Sequence, residues 1–186
     1  LRDKNGKWIN TVPLSENIAP TEKQPDGQVL CGQVHDPLAR ILNGGISGNA
    51  GVFSCAEDIA ILCAALQNGG EWNGHRILSP QGVKTMRTVP RATAGLGRSP
   101  GWDVCSPYAS NAGDFFSPNT YGHTGYTGTS VVIDPDNDTS VILLTNAVHP
   151  EDGHSVVRLR SLVANAVAAS LYPCLLYTSD AADEAR

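Results

Sequence analysis

Two short apolar runs in the second half of the chain, Thr129–Ile133 and Ser140–Asn146, are separated by Asp134-Pro135-Asp136-Asn137-Asp138. Proline presets φ, and Asn and Asp tolerate the backbone angles of tight turns, so this arrangement predicts a β-hairpin. Within the second run, Val141–Leu144 is apolar at every position, which predicts a central strand covered on both faces. The chain is therefore expected to contain an antiparallel sheet.

Helical patterns lie on both sides of this hairpin. The clearest extends from about Ser155 to Leu171, where one apolar stripe predicts packing on a sheet. The stripe consists of Val156, Leu159, Leu162, Val163, Ala166 and Val167. An earlier helix is predicted to begin at Ser54, because Ser54 and Glu57 have the spacing of a capping box. Another is indicated by Ser79-Pro80, with serine as the N-cap and proline at the first helical position.

Strand-like and loop-like sequence fills the stretch between these helices and the hairpin. Gly95–Val104 is predicted to form a strand interrupted by glycine, and Ser106–Asn119 is rich in turn formers and predicts a loop. Helices, then antiparallel strands, then a closing helix indicate the α+β class. We therefore expect an antiparallel sheet flanked by helices.

The composition narrows the range of partners. With 186 residues, of which 41% are hydrophobic, the chain can form one domain with a core. A net charge of -5 argues against nucleic acid or an anionic membrane surface as the partner. No apolar run approaches the roughly 18 residues that a membrane-spanning helix needs. We therefore expect no nucleic-acid partner and no membrane-spanning segment.

Both ends of the chain are unusual. Leu1-Arg2-Asp3-Lys4 contains neither an initiator methionine nor a signal sequence, so we expect the C-terminal part of a longer protein. From Cys174 the sequence CLLYTSDAADEAR is similar to the translation of a transposase adapter used in sequencing libraries. We therefore predict a natural portion over residues 1-173 and a non-native tail over 174-186. The compartment of the parent protein, cytoplasmic or exported, stays open.

The cysteines show no pattern of metal ligation. The chain has five, of which Cys174 lies in the predicted tail. The spacings of Cys31, Cys55, Cys63 and Cys105 match neither a metal knuckle nor a C-x-x-C pair. We interpret these four as structural and expect no metal site.

The densest cluster of chemically useful residues is YGHTGYTGT, which starts at Tyr121 and ends at Thr129. It places a potential cation, a hydroxyl and two glycines directly before a β run. In an extended strand His123 and Gly125 share one face. Glycine at 125 lets a ligand approach the strand edge, where free backbone N–H groups can bind an anion or a carbonyl oxygen. On these residues alone, a structural histidine that caps a strand end is an equal alternative.

HTGYTG resembles the K-T-G-x-x-G element of the serine β-lactamases, penicillin-binding proteins and related esterases, with histidine in place of lysine. IAPTE at Ile18–Glu22 and VHDPLAR from Val34 resemble stretches of the same superfamily, and NAGVFSCAEDIA is similar to the segment that lines its active-site floor. These stretches occur in the expected order and cover residues 18 to about 172. The resemblance implies a partial β-lactamase/transpeptidase-like fold. Histidine at the lysine position favours an esterase or a D-amino-acid peptidase over a true β-lactamase. The resemblance implies a small-molecule or peptide substrate and no cofactor.

The resemblance also implies roles for the motif residues. His123 would stand where a lysine supplies positive charge near the nucleophile and the substrate carboxylate, although a histidine does so only when protonated. Thr124 would hydrogen-bond the substrate, and Gly125 would leave room for it. The N–H of Tyr126 would form half of the oxyanion hole.

Further upstream, two pairs of residues are predicted to lie near the substrate. Asn49 and Ala50 belong to the floor segment and would border the substrate. His35 and Asp36 form the second pair, because an acid next to a histidine can tune it. Neighbours in sequence rarely face each other, so a turn ahead of Pro37 is the alternative.

The superfamily's nucleophile motif, S-x-x-K, is absent, because none of the four lysines has a serine three residues before it. Tyr108-Ala109-Ser110 matches Y-x-S formally, but it follows the floor segment, where the superfamily's order does not place it, and we interpret it as a chance match. We therefore expect a fragment of a serine hydrolase that cleaves an ester, amide or β-lactam bond through an acyl-serine intermediate and is inactive by itself. The alternative is a non-catalytic member of the fold that binds peptides or cell-wall fragments.

Overall fold

The computed structural model describes residues 17–171. These residues form two compact units. The first contains residues 17–59, Gly125–Thr129 and Leu144–Val156, and the second contains Ala60–Thr124, Ser130–Leu143 and 157–171. The division at 173/174 and the tail lie outside the described residues, so both stay predictions. Within residues 17–171, none of the helices has the length and apolar character needed to cross a membrane.

The described residues have the helices and antiparallel strands of an α+β fold, which confirms the predicted class. The order is α1 (Ala56–Gln67), β1 (Glu71–Trp72), β2 (His75–Arg76), α2 (Pro80–Met86), β3 (Arg98–Ser99), β4 (Trp102–Asp103), β5 (Tyr121–Thr124), β6 (Ser130–Asp134), β7 (Thr139–Leu143) and α3 (Val157–Leu171). Strands β1 and β2 pair as a small hairpin, whereas β3-β4-β5-β6-β7 form a five-stranded sheet in that order. All neighbouring strands in this sheet are antiparallel.

The predicted hairpin is confirmed as β6 and β7, which pair from Ser130↔Leu143 to Asp134↔Thr139. Asp134 ends β6 and is completely buried. Its carboxylate accepts hydrogen bonds from the Ser117 N–H and hydroxyl and from the Asn137 side chain. Burial alone would raise the pKa of Asp134, but the bonds from Ser117 and Asn137 outweigh it and hold the pKa below its usual range. The turn is therefore tied to the loop before β5 by a buried carboxylate.

The prediction that Val141–Leu144 forms a central strand is wrong for the described residues, where β7 lies at the edge of the sheet. Its five residues are all half-buried, and Leu144, just after the strand, is exposed. A run of apolar residues reports that the faces of a strand are covered. It carries no information about whether a further strand pairs with the edge.

The last helix is present over Val157–Leu171, two residues after its predicted start, but its buried face differs from the prediction. The residues of α3 that are buried are Arg160, Ala164 and Ala168, whereas Leu159 and Leu162 of the expected stripe are exposed. Polar contacts accompany this orientation. Arg160 donates to the Asn111 side chain, and the Asn165 side chain makes two hydrogen bonds with Asp114. The helix therefore packs through small residues on the segment before β5.

Local sequence signals succeed for α2 and fail for α1. The Ser79 hydroxyl accepts from the N–H of Gly82, as the N-cap prediction requires. Helix α1 begins at Ala56, two residues after the predicted start, and the Ser54 hydroxyl donates to the Cys55 carbonyl instead of capping the helix. The single strand expected over 95–104 is replaced by two elements. Its first residues belong to a short helical segment, Arg91–Leu96, and later residues form the β3–β4 hairpin.

The core of the second unit lies between α1 and the sheet strands and includes Cys63, Leu66, Tyr121, Val132 and Ile133. Tyr121 meets Trp102 edge-on, with ring centroids 5.2 Å apart. Among the cysteines that the structure describes, all four are free, and only Cys63 is buried.

The first unit consists mainly of loops, with one turn of π-helix at Leu38–Leu42. Its small core consists of Leu30, Val34, Ala39, Ala147 and Val148. Backbone and side-chain hydrogen bonds join its distant segments. The N–H of Lys23 donates to the carbonyl of Pro150, and the side-chain amide of Asn146 donates to the carbonyl of Pro20.

Candidate functional site

Strand β5 carries His123 and Thr124 and is paired on both sides. It pairs with β6 through four residue pairs, including His123↔Val131, and with β4 at Asp103↔Gly122. Any side chain at position 122 would place a Cβ 2.4 Å from the carbonyl oxygen of Val131, so glycine is needed for this close approach. The sheet therefore holds the exposed His123 in a defined place.

The imidazole of His123 lies between a donor and an acceptor. Its Nε2 is 3.3 Å from Nη1 of Arg98, and its Nδ1 is 3.0 Å from the carbonyl oxygen of Thr124. A guanidinium can only donate and a carbonyl can only accept. These contacts are satisfied together by a neutral imidazole with its proton on Nδ1, and protonation of Nε2 would replace the acceptor that faces Arg98 with a second donor.

Arg98 supplies a positive charge beside this imidazole. It lies on β3, and its side chain reaches past β4 to His123 while its Nη2 stays 3.6 Å from Asp103 Oδ2. The side chain is 41% exposed, so other ligands can reach it. Sequence reasoning missed Arg98, because its place beside His123 depends on strand pairing across 25 residues that no local pattern indicates.

The turn Gly125–Thr129 belongs to the first unit and is closed by its own backbone. The Gly125 N–H donates to the Thr129 carbonyl over 2.8 Å, and the Gly128 N–H donates to the Gly125 carbonyl over 3.1 Å. A Cβ at position 125 would lie 2.4 Å from the hydroxyl oxygen of Thr129. The Gly125 N–H is therefore engaged within the turn. The Tyr126 N–H, which is the predicted oxyanion donor, has no acceptor among residues 17–171, and its role stays a prediction.

A neighbouring segment of the same unit supports this turn. The Ala147 N–H donates to the Thr127 carbonyl over 2.7 Å, and the Thr145 hydroxyl donates to the Gly128 carbonyl over 2.6 Å. Gly128 has a φ of 121° and lies so close to this segment that an added Cβ would be 2.7 Å from the Thr145 carbonyl oxygen. The second glycine of the motif is thus required by both backbone conformation and space.

The side chain of Tyr126 is 73% exposed but makes two defined contacts. Its hydroxyl donates to Asp152 Oδ2 over 2.5 Å, and its ring stacks on His35 with centroids 5.7 Å apart. The hydrogen bond to the Asp152 carboxylate raises the pKa of Tyr126. The same bond, with the N–H of Gly153, lowers the pKa of Asp152.

His35 and Asp36, predicted as a pair, have separate partners. The Nε2 of His35 lies 3.2 Å from Glu22 Oε2. Asp36 accepts a hydrogen bond from the Ala39 N–H over 2.7 Å and so holds the start of the π-helical turn. Asp36 therefore stabilises the turn after Pro37, and the His35 ring lies against Tyr126, while contact of either residue with a substrate stays a prediction. Sequence reasoning also missed Glu22 and Asp152. The only signal was that Glu22 ends one of the resembling stretches.

The predicted floor residues lie in a polar loop of the first unit. The carboxamide oxygen of Asn49 accepts from the Ser47 hydroxyl, which in turn accepts from the Asn43 side chain. Asn49 is exposed and Ala50 is half-buried. Next to them, Gly51 packs against Val34, where an added Cβ would lie 2.9 Å from a methyl group. Contact of Asn49 and Ala50 with a substrate stays a prediction.

Comparison with known proteins assigns the chain to a family. The family model described as "Beta-lactamase" matches residues 12–165. This range contains every residue that was predicted to lie at the site.

Named relatives agree with this match. A protein of Escherichia coli (strain K12) named "Putative D-alanyl-D-alanine carboxypeptidase" is 43% identical over 122 residues, which are 64% of this chain and 28% of the relative. A protein of the same name from Salmonella agona (strain SL483) is 38% identical over 147 residues, covering 77% of this chain and 33% of the relative. The chain thus spans about a third of the length of these curated relatives. A solved structure titled as a family VIII carboxylesterase is 24% identical, with a TM-score of 0.40, over 59% of this chain and 30% of its own.

Proposed function

Because the chain belongs to the β-lactamase family, we propose that it supplies one wall of the active site of a serine hydrolase. The wall consists of four consecutive residues, His123, Thr124, Gly125 and Tyr126. The enzyme cleaves an ester, amide or β-lactam bond through an acyl-serine intermediate. The observation that carries this proposal is the contact of His123, on β5, with the guanidinium of Arg98, on β3, which gives the motif histidine a positively charged neighbour.

The nucleophile of this enzyme belongs to sequence outside the 186 residues. The chain contains no S-x-x-K, and the curated relatives that it matches are about three times as long. In the proposed reaction the serine oxygen attacks the substrate carbonyl carbon, and the carbonyl oxygen becomes an oxyanion. The N–H groups of Tyr126 and of the serine itself donate to that oxyanion. The leaving group departs with a proton, and water then releases the acyl group from the serine.

Among the possible substrates we favour a peptide that ends in a D-amino acid with a free carboxylate. A histidine offers positive charge to a carboxylate only when it is protonated, whereas Arg98 beside His123 carries a permanent charge and a planar fork of donors. The Thr124 hydroxyl has no hydrogen-bond partner among residues 17–171 and can donate to the same carboxylate. The names of the relatives, D-alanyl-D-alanine carboxypeptidases, support this choice.

Covalent labelling tests the proposal. The complete enzyme, obtained by extending the reading frame upstream, is expected to contain S-x-x-K and to be labelled by a fluorophosphonate and by a fluorescent penicillin. Replacement of the serine of that motif by alanine is expected to abolish both labels. The 186-residue chain alone is expected to take neither label, since it lacks the nucleophile.

Two other labelling results would contradict the proposal. Labelling of the 186-residue chain by either probe would show that the nucleophile has been misplaced. A complete protein that lacks S-x-x-K and takes no label, yet binds peptides, would replace the enzyme with a non-catalytic binding protein of the same fold.

A further inference from the structure

Tyr126 combines high exposure with a fixed side chain. An exposed tyrosine on a loop normally keeps its rotamer freedom, because ordering it costs conformational entropy. Here the hydroxyl end is held by Asp152 and the ring face is held by His35. The hydrogen bond fixes where the ring points, and the stacking fixes its rotation. The side chain of Tyr126 is therefore ordered without being buried.

His35 and Asp152, the two residues in contact with the Tyr126 side chain, each have a further contact of their own. The side chain of His35 is only 12% exposed, and its Nε2 lies 3.2 Å from Glu22. The second oxygen of Asp152 accepts a hydrogen bond from the Gly153 N–H over 2.7 Å. We call Tyr126, Asp152, His35 and Glu22 the Tyr126 clamp. All four residues belong to the first unit, and they join three separate segments of it.

The backbone of the same residue carries the N–H that the proposed function uses. Hydrogen bonds close the turn on both sides of Tyr126, at Gly125 and at Gly128. They do not engage the Tyr126 N–H, so its direction depends on the φ and ψ angles around this residue. Since the side chain and the N–H share one Cα, a fixed ring restricts those angles.

We propose that the Tyr126 clamp is a positioning device that fixes the direction of the Tyr126 N–H toward the oxyanion. This inference rests on the proposed function, because it presumes that this N–H is an oxyanion donor. A donor of this kind acts only within a narrow range of distance and direction, and small misplacements of reacting groups lower rates strongly. The clamp stabilises the transition state through the backbone, and its side chains need not touch the substrate.

Tyr126→Phe and Asp152→Asn in the complete enzyme test the clamp. Phenylalanine keeps the ring that stacks on His35 and loses the hydroxyl, whereas asparagine keeps the shape of the acceptor and loses its charge. With p-nitrophenyl acetate as substrate, each variant is expected to lower kcat by about tenfold to hundredfold with little change in KM. The double variant is expected to resemble Tyr126→Phe, because phenylalanine already removes the hydrogen bond that asparagine only weakens. Asp138→Asn, an exposed carboxylate on the β6–β7 turn, is the matched control and is expected to change neither value.

A transition-state analogue separates positioning from a merely structural role. Phenylboronic acid forms a tetrahedral adduct with a nucleophilic serine, so its affinity is expected to fall by the same factor as kcat/KM in both clamp variants. If the clamp has only a structural role, its variants are expected to lower thermal stability, and the loss of boronate affinity is not expected to equal the loss of kcat/KM.

The failures of the two proposals can be told apart. If the wild-type complete enzyme takes no fluorophosphonate, the proposed function is overturned and the clamp with it. If the wild type is labelled but both variants keep wild-type kcat and boronate affinity, only the clamp is overturned. A rise in KM with unchanged kcat also overturns it, since the Tyr126 side chain would then bind the substrate directly.

Discussion

The guanidinium of Arg98 lies 3.3 Å from Nε2 of His123, although the two residues are on strands separated by β4. The arginine side chain is long enough to reach past the intervening strand, where it also stays within 3.6 Å of Asp103. A histidine in place of a lysine therefore does not leave this edge of the sheet without positive charge. The charge is supplied by Arg98 on β3, two strands away from the motif.

Replacement of Arg98 tests whether this charge binds a carboxylate. In the complete enzyme, Arg98→Ala is expected to raise KM for a peptide that ends in a free D-alanine by about tenfold to hundredfold, because hydrogen bonds to charged groups contribute about 1.5–3 kcal/mol. The KM of Arg98→Lys for this peptide is expected to lie between those of the wild type and Arg98→Ala, because lysine keeps the charge but lacks the planar fork of donors. Steady-state kinetics with this peptide and with p-nitrophenyl acetate measure the difference.

The neutral ester serves as the internal control for Arg98, and Arg158→Ala, an exposed arginine on α3, serves as the control variant. Equal losses on both substrates would assign Arg98 a structural role through its contact with Asp103.

His123→Ala is expected to lower turnover of the complete enzyme more than His75→Ala does. His123 accepts from Arg98 and donates to the Thr124 carbonyl, so its loss disturbs both the charge and the strand end. His75 is exposed on β2 and lies far along the chain from the motif. We expect a decrease in kcat/KM of at least about tenfold for His123→Ala, equivalent to about 1.4 kcal/mol. Equal activity in the two variants would remove His123 from the site.

Asp134 is expected to make the stability of the protein depend on acidity. Its buried carboxylate accepts from Ser117 and Asn137, and its pKa lies below the usual range. Such a group contributes stability above the unfolded-state pKa of about 4, and this contribution is lost as the pH falls through the lower folded-state pKa. Asp134→Asn is expected to lower the free energy of unfolding at pH 7 by about 1–3 kcal/mol.

Urea denaturation at pH 7 and below pH 4 measures this effect. The Asp134→Asn variant should lose less stability on acidification than the wild type does. Asp138→Asn, exposed on the same turn, should follow the wild type at both pH values. An identical acid response in the wild type and Asp134→Asn would assign the pH dependence to other carboxylates.

Gly128 and Gly153 form a matched pair for testing the space around the motif turn. Their φ angles are 121° and 120°, so alanine is strained to the same degree at both positions. At Gly128 the new Cβ would also lie 2.7 Å from the Thr145 carbonyl oxygen, whereas at Gly153 nothing lies within 4 Å. Gly128→Ala is therefore expected to lower the thermal midpoint clearly more than Gly153→Ala. Equal decreases would show that backbone conformation alone requires glycine at 128.

Local sequence signals predicted the elements that depend on neighbouring residues. The Ser79 cap, the β6–β7 hairpin and the existence of α3 follow from backbone preferences over a few residues. The buried face of α3 could not be predicted in this way. The two hydrogen bonds that Asn165 exchanges with Asp114, across 51 residues, accompany this orientation, and no local apolar pattern encodes them.

The His-Thr-Gly element was visible in the sequence, because its glycines and its place before a β run are local features. The sequence by itself determined the α+β class, the family and the position of this element on a strand. Only the tertiary structure decided which groups surround it. Arg98 reaches His123 through strand pairing, and Glu22, His35 and Asp152 meet at Tyr126 through loop packing. Such contacts join residues that are distant along the chain, and no local backbone preference encodes them.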